Sequence, residues 1–441
     1  MEQIFSREED YSNFIRFILP SIVTMIFLSF YTTIDGFFVS RFVNSNALAA
    51  INIILPITGV IFGIAVMLAT GSGALVGIKV GRKKTKEANE LFSFITVVLV
   101  IVAILLTIVG IIFIEPILRF LGTTEALYPY AKTYGTVVIL MALPMMLKLY
   151  FEYYARIDGS PNVALKMSTV GLVFNVVFDF LFIVIFKMGI LGAALGTLLA
   201  MVTSTIIGIR YFLGKESNLK FIKFKSNFKM LGCSCYNGSS EMLTELSTGI
   251  TTFLFNQAIL SFYGETGIAA MSIVIYIYYF FIAAYFGVAV GVSPVISYSF
   301  GAKQSERIKQ YLKYSFNTII VSSILIFIIS FFGRDFIIGI FTTDTEVMQI
   351  ASEGMRIFSV GFLIIGFNIF MSGYFTSIGN GKISAIISIL RSLIFVILGV
   401  VILPNLIGVS GIWLTITVAE LGTILFSGYF YNKSKNLIEF R

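Results

Sequence analysis

Two carboxylates, an amide and a hydroxyl carry the chemistry open to this 441-residue chain: Asp35, Asn175, Asp179 and Thr197. Each lies in a run that is otherwise apolar. The stretch "FNVVFDFLF" (174–182) sets Asn175 and Asp179 on one helical face, with no basic residue nearer than Lys166 and Lys187. An Asp at the centre of a membrane-spanning helix costs about 2.5–3.5 kcal/mol to insert, so an acid retained there is read as functional. Oxygens of these four groups could ligate Na⁺ directly, or the two carboxylates could share and exchange a proton. The competing reading is hydrogen-bonding glue between helices. By the rise of a helix, Asp35 sits roughly 10 Å, and Asp179 roughly 12 Å, from the outer surface. Thr197, past the turn "KMGILG" (187–192), shares that level, and Asn175 is expected one turn deeper. Pro20 precedes Asp35 in the same run, where it either bends the helix or marks its frayed start.

The elements that must position these residues are transmembrane helices. Hydrophobic residues make up 57% of the chain and charged ones 12%, with mean hydropathy +0.95, outside the range of a soluble domain. A crossing needs about 20 apolar residues, and twelve runs qualify: 14–36, 51–78, 91–113, 127–153, 163–186, 190–212, 239–262, 267–294, 314–333, 355–378, 383–404 and 411–431. Pro56 predicts a tilt or kink in the second. The expected class is an all-α polytopic membrane protein.

The net charge of +8 is explained by its location rather than by nucleic-acid binding. Lys79, Arg82, Lys83, Lys84 and Lys86 follow span two, Arg210 to Lys229 supplies six more after span six, and Lys303, Arg307, Lys309 and Lys313 follow span eight. Lys433, Lys435 and Arg441 end the chain, whereas the alternate loops hold mainly Arg41, Arg119, Lys187 and Arg334. The positive-inside rule therefore puts both termini in the cytoplasm. The acidic start "MEQIFSREED" does not read as a cleavable signal peptide. Histidine is absent, which removes imidazole catalysis and His metal sites. Cys233 and Cys235 read as free thiols. No Walker A, HExxH or GxSxG pattern occurs, so neither ATP-driven transport by this chain alone nor an enzyme is expected.

The chain repeats itself at a separation of 219 or 220 residues. "NALAAINIIL" (46–55) aligns with "TGIAAMSIVI" (266–275), "VGRKKTKEANEL" (80–91) with "FGAKQSERIKQY" (300–311), and "RFLGTTEAL" (119–127) with "GIFTTDTEV" (339–347). "YARIDGSPN" (154–162) then parallels "YFTSIGNGK" (374–382), and "GILGAALG" (189–196) parallels "GVSGIWLT" (408–415). Six spans per repeat keep both halves in the same orientation, so the repeats are parallel. The expected domains are an N-terminal six-helix lobe (1–212), a cytoplasmic linker (213–232) and a C-terminal six-helix lobe (233–441). Such a layout suits rocking alternating access. The polar residues break the symmetry, because Asp35, Asn175 and Asp179 correspond to Phe255, Phe395 and Gly399.

Twelve spans in two parallel lobes, Asp in span one, N-x-x-x-D in span five and Thr in span six resemble the MATE family of multidrug and toxic compound extrusion transporters. The resemblance covers essentially the whole chain, and "NGSSEMLTELSTGITTFLFN" (237–256) is similar to its MepA-like bacterial branch. It implies a monomeric efflux antiporter in the bacterial cytoplasmic membrane, with no cofactor. Asp35, Asn175, Asp179 and Thr197 would bind the coupling H⁺ or Na⁺, and Pro20 would act as a conformational switch. In the NorM-type branch an acid occupies span seven where this chain has Phe255, so coupling is expected to rest on the first lobe.

Span seven has its own polar stripe, with Glu241, Glu245, Thr248, Thr252 and Asn256 on one face. Glu245, Thr248, Thr252 and Asn256 are candidates for lining a substrate cavity, while Glu241 could be solvated at the interface. Lys148 and Glu152 read as a structural ion pair, and Arg356 and Arg391 have no partner legible in the sequence. Expected partners are organic, mostly cationic and amphipathic small molecules and the lipid bilayer. The main alternative is a flippase for lipid-linked saccharides or similar amphipathic lipids, against which the acidic rather than basic embedded charges argue. An intramembrane aspartyl enzyme would need YD and GxGD motifs that are missing, and a channel would need a polar path that spans eleven and twelve do not provide.

Overall fold

The computed structural model describes residues 10–438, which form helices and connecting turns with no strand among them. The first nine residues, including most of the acidic start, and Arg441 lie outside the described residues. Ten helices are long and apolar enough to cross a membrane. One of these, Phe228–Gly301, is two helices joined at Gly264 (φ 60°, ψ −148°). A bent pair, Tyr128–Leu140 and Ala142–Ile157 at 48°, makes a further crossing, so the described residues cross twelve times.

The crossings in order are Tyr11–Phe42, Ser45–Gly81, Thr85–Ile112, the bent pair, Pro161–Ile185 and Gly189–Leu213, then 228–263, 265–301, Ser305–Phe332, Thr345–Ser377, Gly381–Ile407 and Val409–Ile438. Most outrun the apolar windows in the sequence. Hydropathy marks the hydrocarbon core, whereas helical hydrogen bonding continues through the interfacial zone until a cap replaces it. Asn44 supplies one such cap, its Oδ1 accepting from Ala47 N at 2.8 Å. Pro56 is accommodated inside one unbroken helix, Ser45–Gly81.

The repeat extends to backbone conformation. Left-handed residues recur in matching turns: Lys83 and Lys303 (φ 60° and 57°), Gly159 and Gly379 (85° and 78°), Gly189 and Gly408 (61° and 64°). After span four, Ser160 N donates to Ala155 O and Gly159 N to Arg156 O; after span ten, Asn380 N donates to Phe375 O and Gly379 N to Thr376 O. Both are Schellman closures, which need a left-handed residue at that position.

The chain divides into two compact units, one holding 23–238 and the other 10–22 with 239–438. Within the first, spans five and six pack along Gly192, where an added Cβ would lie 3.0 Å from the Phe182 carbonyl carbon. The opening turns of span seven also belong to this unit. Asn237 Nδ2 donates to Gly71 O at 3.2 Å, and neither Gly71 nor Gly238 has room for a Cβ against the other's helix. Within the second unit, Tyr11 and Phe14 pack on Tyr314 and Tyr311 at ring separations of 5.4 and 5.6 Å. Gly287 and Gly291 press against Ile22, Ser21 and Ile18.

Candidate functional site

Three helices of the first unit build the polar cluster. Span one contributes Asp35, span five Asn175 and Asp179, and span six Thr197, all buried. Asn175 Nδ2 donates to Asp35 Oδ1 at 2.9 Å, and Thr197 Oγ1 donates to Asp35 Oδ2, also at 2.9 Å. Asn175 Nδ2 lies 3.3 Å from Thr197 Oγ1 as well. The amide expected a turn deeper is therefore bonded directly to Asp35 and Thr197. Each oxygen of Asp35 is matched to one donor.

Asp179 is placed differently. It is fully buried and faces Asp35 closely enough for the two carboxyls to interact. Neither of its oxygens accepts a hydrogen bond, and Asn175 Oδ1 is equally without a donor. Three orphaned oxygens beside a second carboxylate leave a strong demand for positive charge. A proton between the carboxyls would meet it, and so would a small hard cation held by carboxylate, amide and hydroxyl oxygens. Among the described residues no group of three or more His, Cys, Asp or Glu side chains is poised for a metal ion.

Sequence reasoning missed three contributors. Gly196, adjacent to Thr197, has no side chain because the Asp179 carboxylate fills the space where its Cβ would stand. Span five changes at Asp179 from α- to π-helix over Phe180–Ile185, a widened turn that is common at functional sites. Tyr134 of span four is 7% exposed and lies within Coulombic range of both carboxylates. Glycine beside the candidate threonine was visible in "GAALGT"; one tyrosine among 21 was not.

Pro20 is buried inside the helix Tyr11–Phe42, in the segment that belongs to the second unit. The span-seven stripe also lies in the second unit. Glu245, Thr248 and Thr252 are half-buried; Thr248 Oγ1 donates to Thr244 O, and the Oδ1 of Asn256 is buried without a partner. Glu241 is half-buried within Coulombic range of Arg391. Arg391 now has its partner: its Nε donates to Glu420 Oε1 at 2.9 Å, and Asn368 Nδ2 donates to Glu420 Oε2 at 2.7 Å. This residue sits in the π-helical turn Leu390–Ile394 of span eleven, so each repeat places a charge at a π turn. Lys148 and Glu152 form a buried pair at 3.0 Å, and Arg356 is exposed.

Comparison with known proteins agrees with this architecture. The MatE family model matches residues 20–181 and 242–401, one match per repeat. The multidrug export protein MepA of Staphylococcus saprophyticus is 26% identical over 427 residues, covering 94% of this chain and 92% of its own. MepA of Staphylococcus aureus strain MSSA476 is 25% identical over 422 residues, with the same coverages. A crystal structure of MATE in complex with MaL6 superposes with a TM-score of 0.93 at 20% identity, covering 99% and 98% of the two chains. An outward-facing multidrug resistance MATE transporter of the MOP superfamily gives the same values. A MOP superfamily transporter from Pyrococcus furiosus, described as having a binding pocket of reversed polarity and a suggested different function, follows at 0.92 and 20% identity.

Proposed function

This chain belongs to the MatE family, and from that membership we propose that it is a secondary active multidrug efflux antiporter. It exports organic, mostly cationic and amphipathic compounds in exchange for H⁺ or Na⁺. One observation carries the coupling half of this reading: Asp179, buried beside Asp35, has two carboxylate oxygens without a donor. The likeness to proteins described as multidrug export proteins supports the substrate half.

In this mechanism the coupling cation enters from outside and binds between Asp35 and Asp179, with Asn175 and Thr197 holding the Asp35 carboxylate in place. Rotating the Asn175 amide exchanges its NH₂ for an oxygen, which gives a direct ligand for Na⁺; protonation needs no such change. Cation binding drives transport only to the extent that its affinity differs between the outward- and inward-open states. Pro20, which leaves one backbone acceptor in span one unpaired, is the point where that span bends. Glu245, Thr248, Thr252 and Asn256 line the path of the substrate, and Glu245 attracts its positive charge. The two units work as six-helix lobes joined by the linker, with both termini in the cytoplasm of a bacterial cell and the chain active as a monomer. The second unit gives the flippase alternative no support, since its buried base Arg391 already has Glu420 as its counter-ion.

The test is ethidium transport in proteoliposomes under an imposed Na⁺ gradient or an imposed pH gradient, wild type beside Asp179→Asn. Transport driven by one gradient and abolished by the substitution establishes the antiporter and names its ion. Gradient-driven transport that survives Asp179→Asn would make the cluster structural.

A further inference from the structure

Residues 215–229, "KESNLKFIKFKSNFK", connect span six to span seven without regular structure until the helix at Phe228 begins. They carry five lysines and one acid. A connector that only joined two helices could be loose, yet this one is tied down along its backbone. The Asp158 carboxylate, in the turn after span four, accepts from Asn218 N at 3.0 Å and Leu219 N at 2.8 Å. Near the start of span three, Asn89 Oδ1 accepts from Lys220 N at 3.1 Å and Ser93 Oγ from Ile222 N at 3.0 Å.

The aromatic residues continue the attachment. Phe221 packs on Phe92 with ring centroids 4.8 Å apart, while Phe224 and Phe228 approach Phe94 at 5.6 and 6.1 Å. Pinned in this way along its backbone, the strap leaves Lys215, Lys223, Lys225 and Lys229 exposed. Phe221 and Phe228 remain 38% and 73% exposed among them. The strap crosses the start of span three, where that helix enters the bilayer.

The positive-inside bias requires only a number of basic residues, with no pinned backbone and no exposed phenylalanines. Ammonium groups held at the rim of the bilayer beside protruding aromatic rings match a phospholipid: phosphates for the lysines, upper acyl chain for Phe221 and Phe228. Nucleic acid would satisfy the charge but leave Phe228 in water at the edge of a membrane. We propose that the 215–229 strap is a binding platform for anionic phospholipid headgroups. The platform stands on the membrane placement of the chain and is independent of what the transporter carries.

The test measures lipid retained by the purified full-length protein in native mass spectrometry, from equal amounts of phosphatidylglycerol and phosphatidylcholine of matched chain length. Wild type should retain phosphatidylglycerol preferentially. Each lysine changed to Gln at 215, 223, 225 and 229 should reduce that preference by up to about fivefold. A comparison variant with Lys303, Arg307, Lys309 and Lys313 all changed to Gln should keep it. Inorganic phosphate should displace no more lipid than chloride at equal ionic strength. No preference in wild type, an equal loss in both variants, or selective displacement by phosphate would each overturn the proposal.

Discussion

A methyl group on Gly196 would collide with the carboxylate of Asp179. Span six therefore shapes the acid on span five by leaving a side chain out. Gly196→Ala should push the Asp179 carboxylate from its place opposite Asp35 while span six stays helical. Overpacking of this kind costs about 1–3 kcal/mol, and if the strain falls on the bound state the half-saturating concentration of the coupling cation rises about five- to 150-fold. Ethidium transport measured against cation concentration checks this. An unchanged concentration dependence would mean that Asp179 moves aside without consequence.

Thr197 Oγ1 donates to Asp35 Oδ2. Thr197→Val keeps the shape and removes the donor; Thr197→Ser keeps the donor. A hydrogen bond to a charged group contributes about 1.5–3 kcal/mol, so the valine variant should lose about tenfold or more in cation-dependent transport while the serine variant stays close to wild type. Equal behaviour of the two would remove the hydroxyl from the site.

The buried pair in the second unit makes a prediction about stability. Glu420→Ala removes the carboxylate paired with the Arg391 guanidinium and one of the two acceptors of Asn368, a loss of about 3–5 kcal/mol. The double variant Arg391→Met with Glu420→Leu removes both charges and should recover most of it. Thermal unfolding in detergent compares the three. A double variant no more stable than Glu420→Ala would show that packing, not charge, dominates.

Burial raises the Asp158 carboxyl above the ordinary carboxylate range, against the Tyr211 hydroxyl and the N–H groups of Leu219 and Asn218 that favour its charged form. The docked linker thus binds a proton more tightly than a released one. Its docking is fully favoured below the ordinary carboxylate pKa of about 3.9 and weakens as pH rises through the docked value. Trypsin cleavage after Lys220 and Lys223, normalised to cleavage after Lys303, should increase as pH rises through the docked value of Asp158. A flat or falling ratio would contradict the assignment.

How far the sequence speaks follows from what each residue needs to be noticed. Asp35 and Asp179 stand out because a charge in an apolar run is costly wherever it lies, and the repeat offsets were readable because Lys83, Gly159 and Gly189 each have a counterpart in "GAK", "IGNG" and "IGVSG". Glu420 as the partner of Arg391 was not readable, since the two lie 29 positions and a turn apart and only packing decides which faces meet. The π turn after Asp179 and the space at Gly196 are properties of two helices together, with no marker in either alone. The length of span seven was underestimated at its start because 228–238 is too polar for a hydropathy window, although Gly71 and Asn237 secure it to span two.

Span one begins in one compact unit and ends in the other, changing between Ile22 and Val23 without a break in the helix. This has a consequence for biosynthesis. The ribosome makes residues 10–22 well before their packing partners Gly287, Gly291, Tyr311 and Tyr314, which come some three hundred residues later. This segment must wait, inserted but unpacked, until span nine is complete. Two fragments separated within 214–227 would each lack a piece of their own core. The molecule has two units in space but a single order of assembly in time.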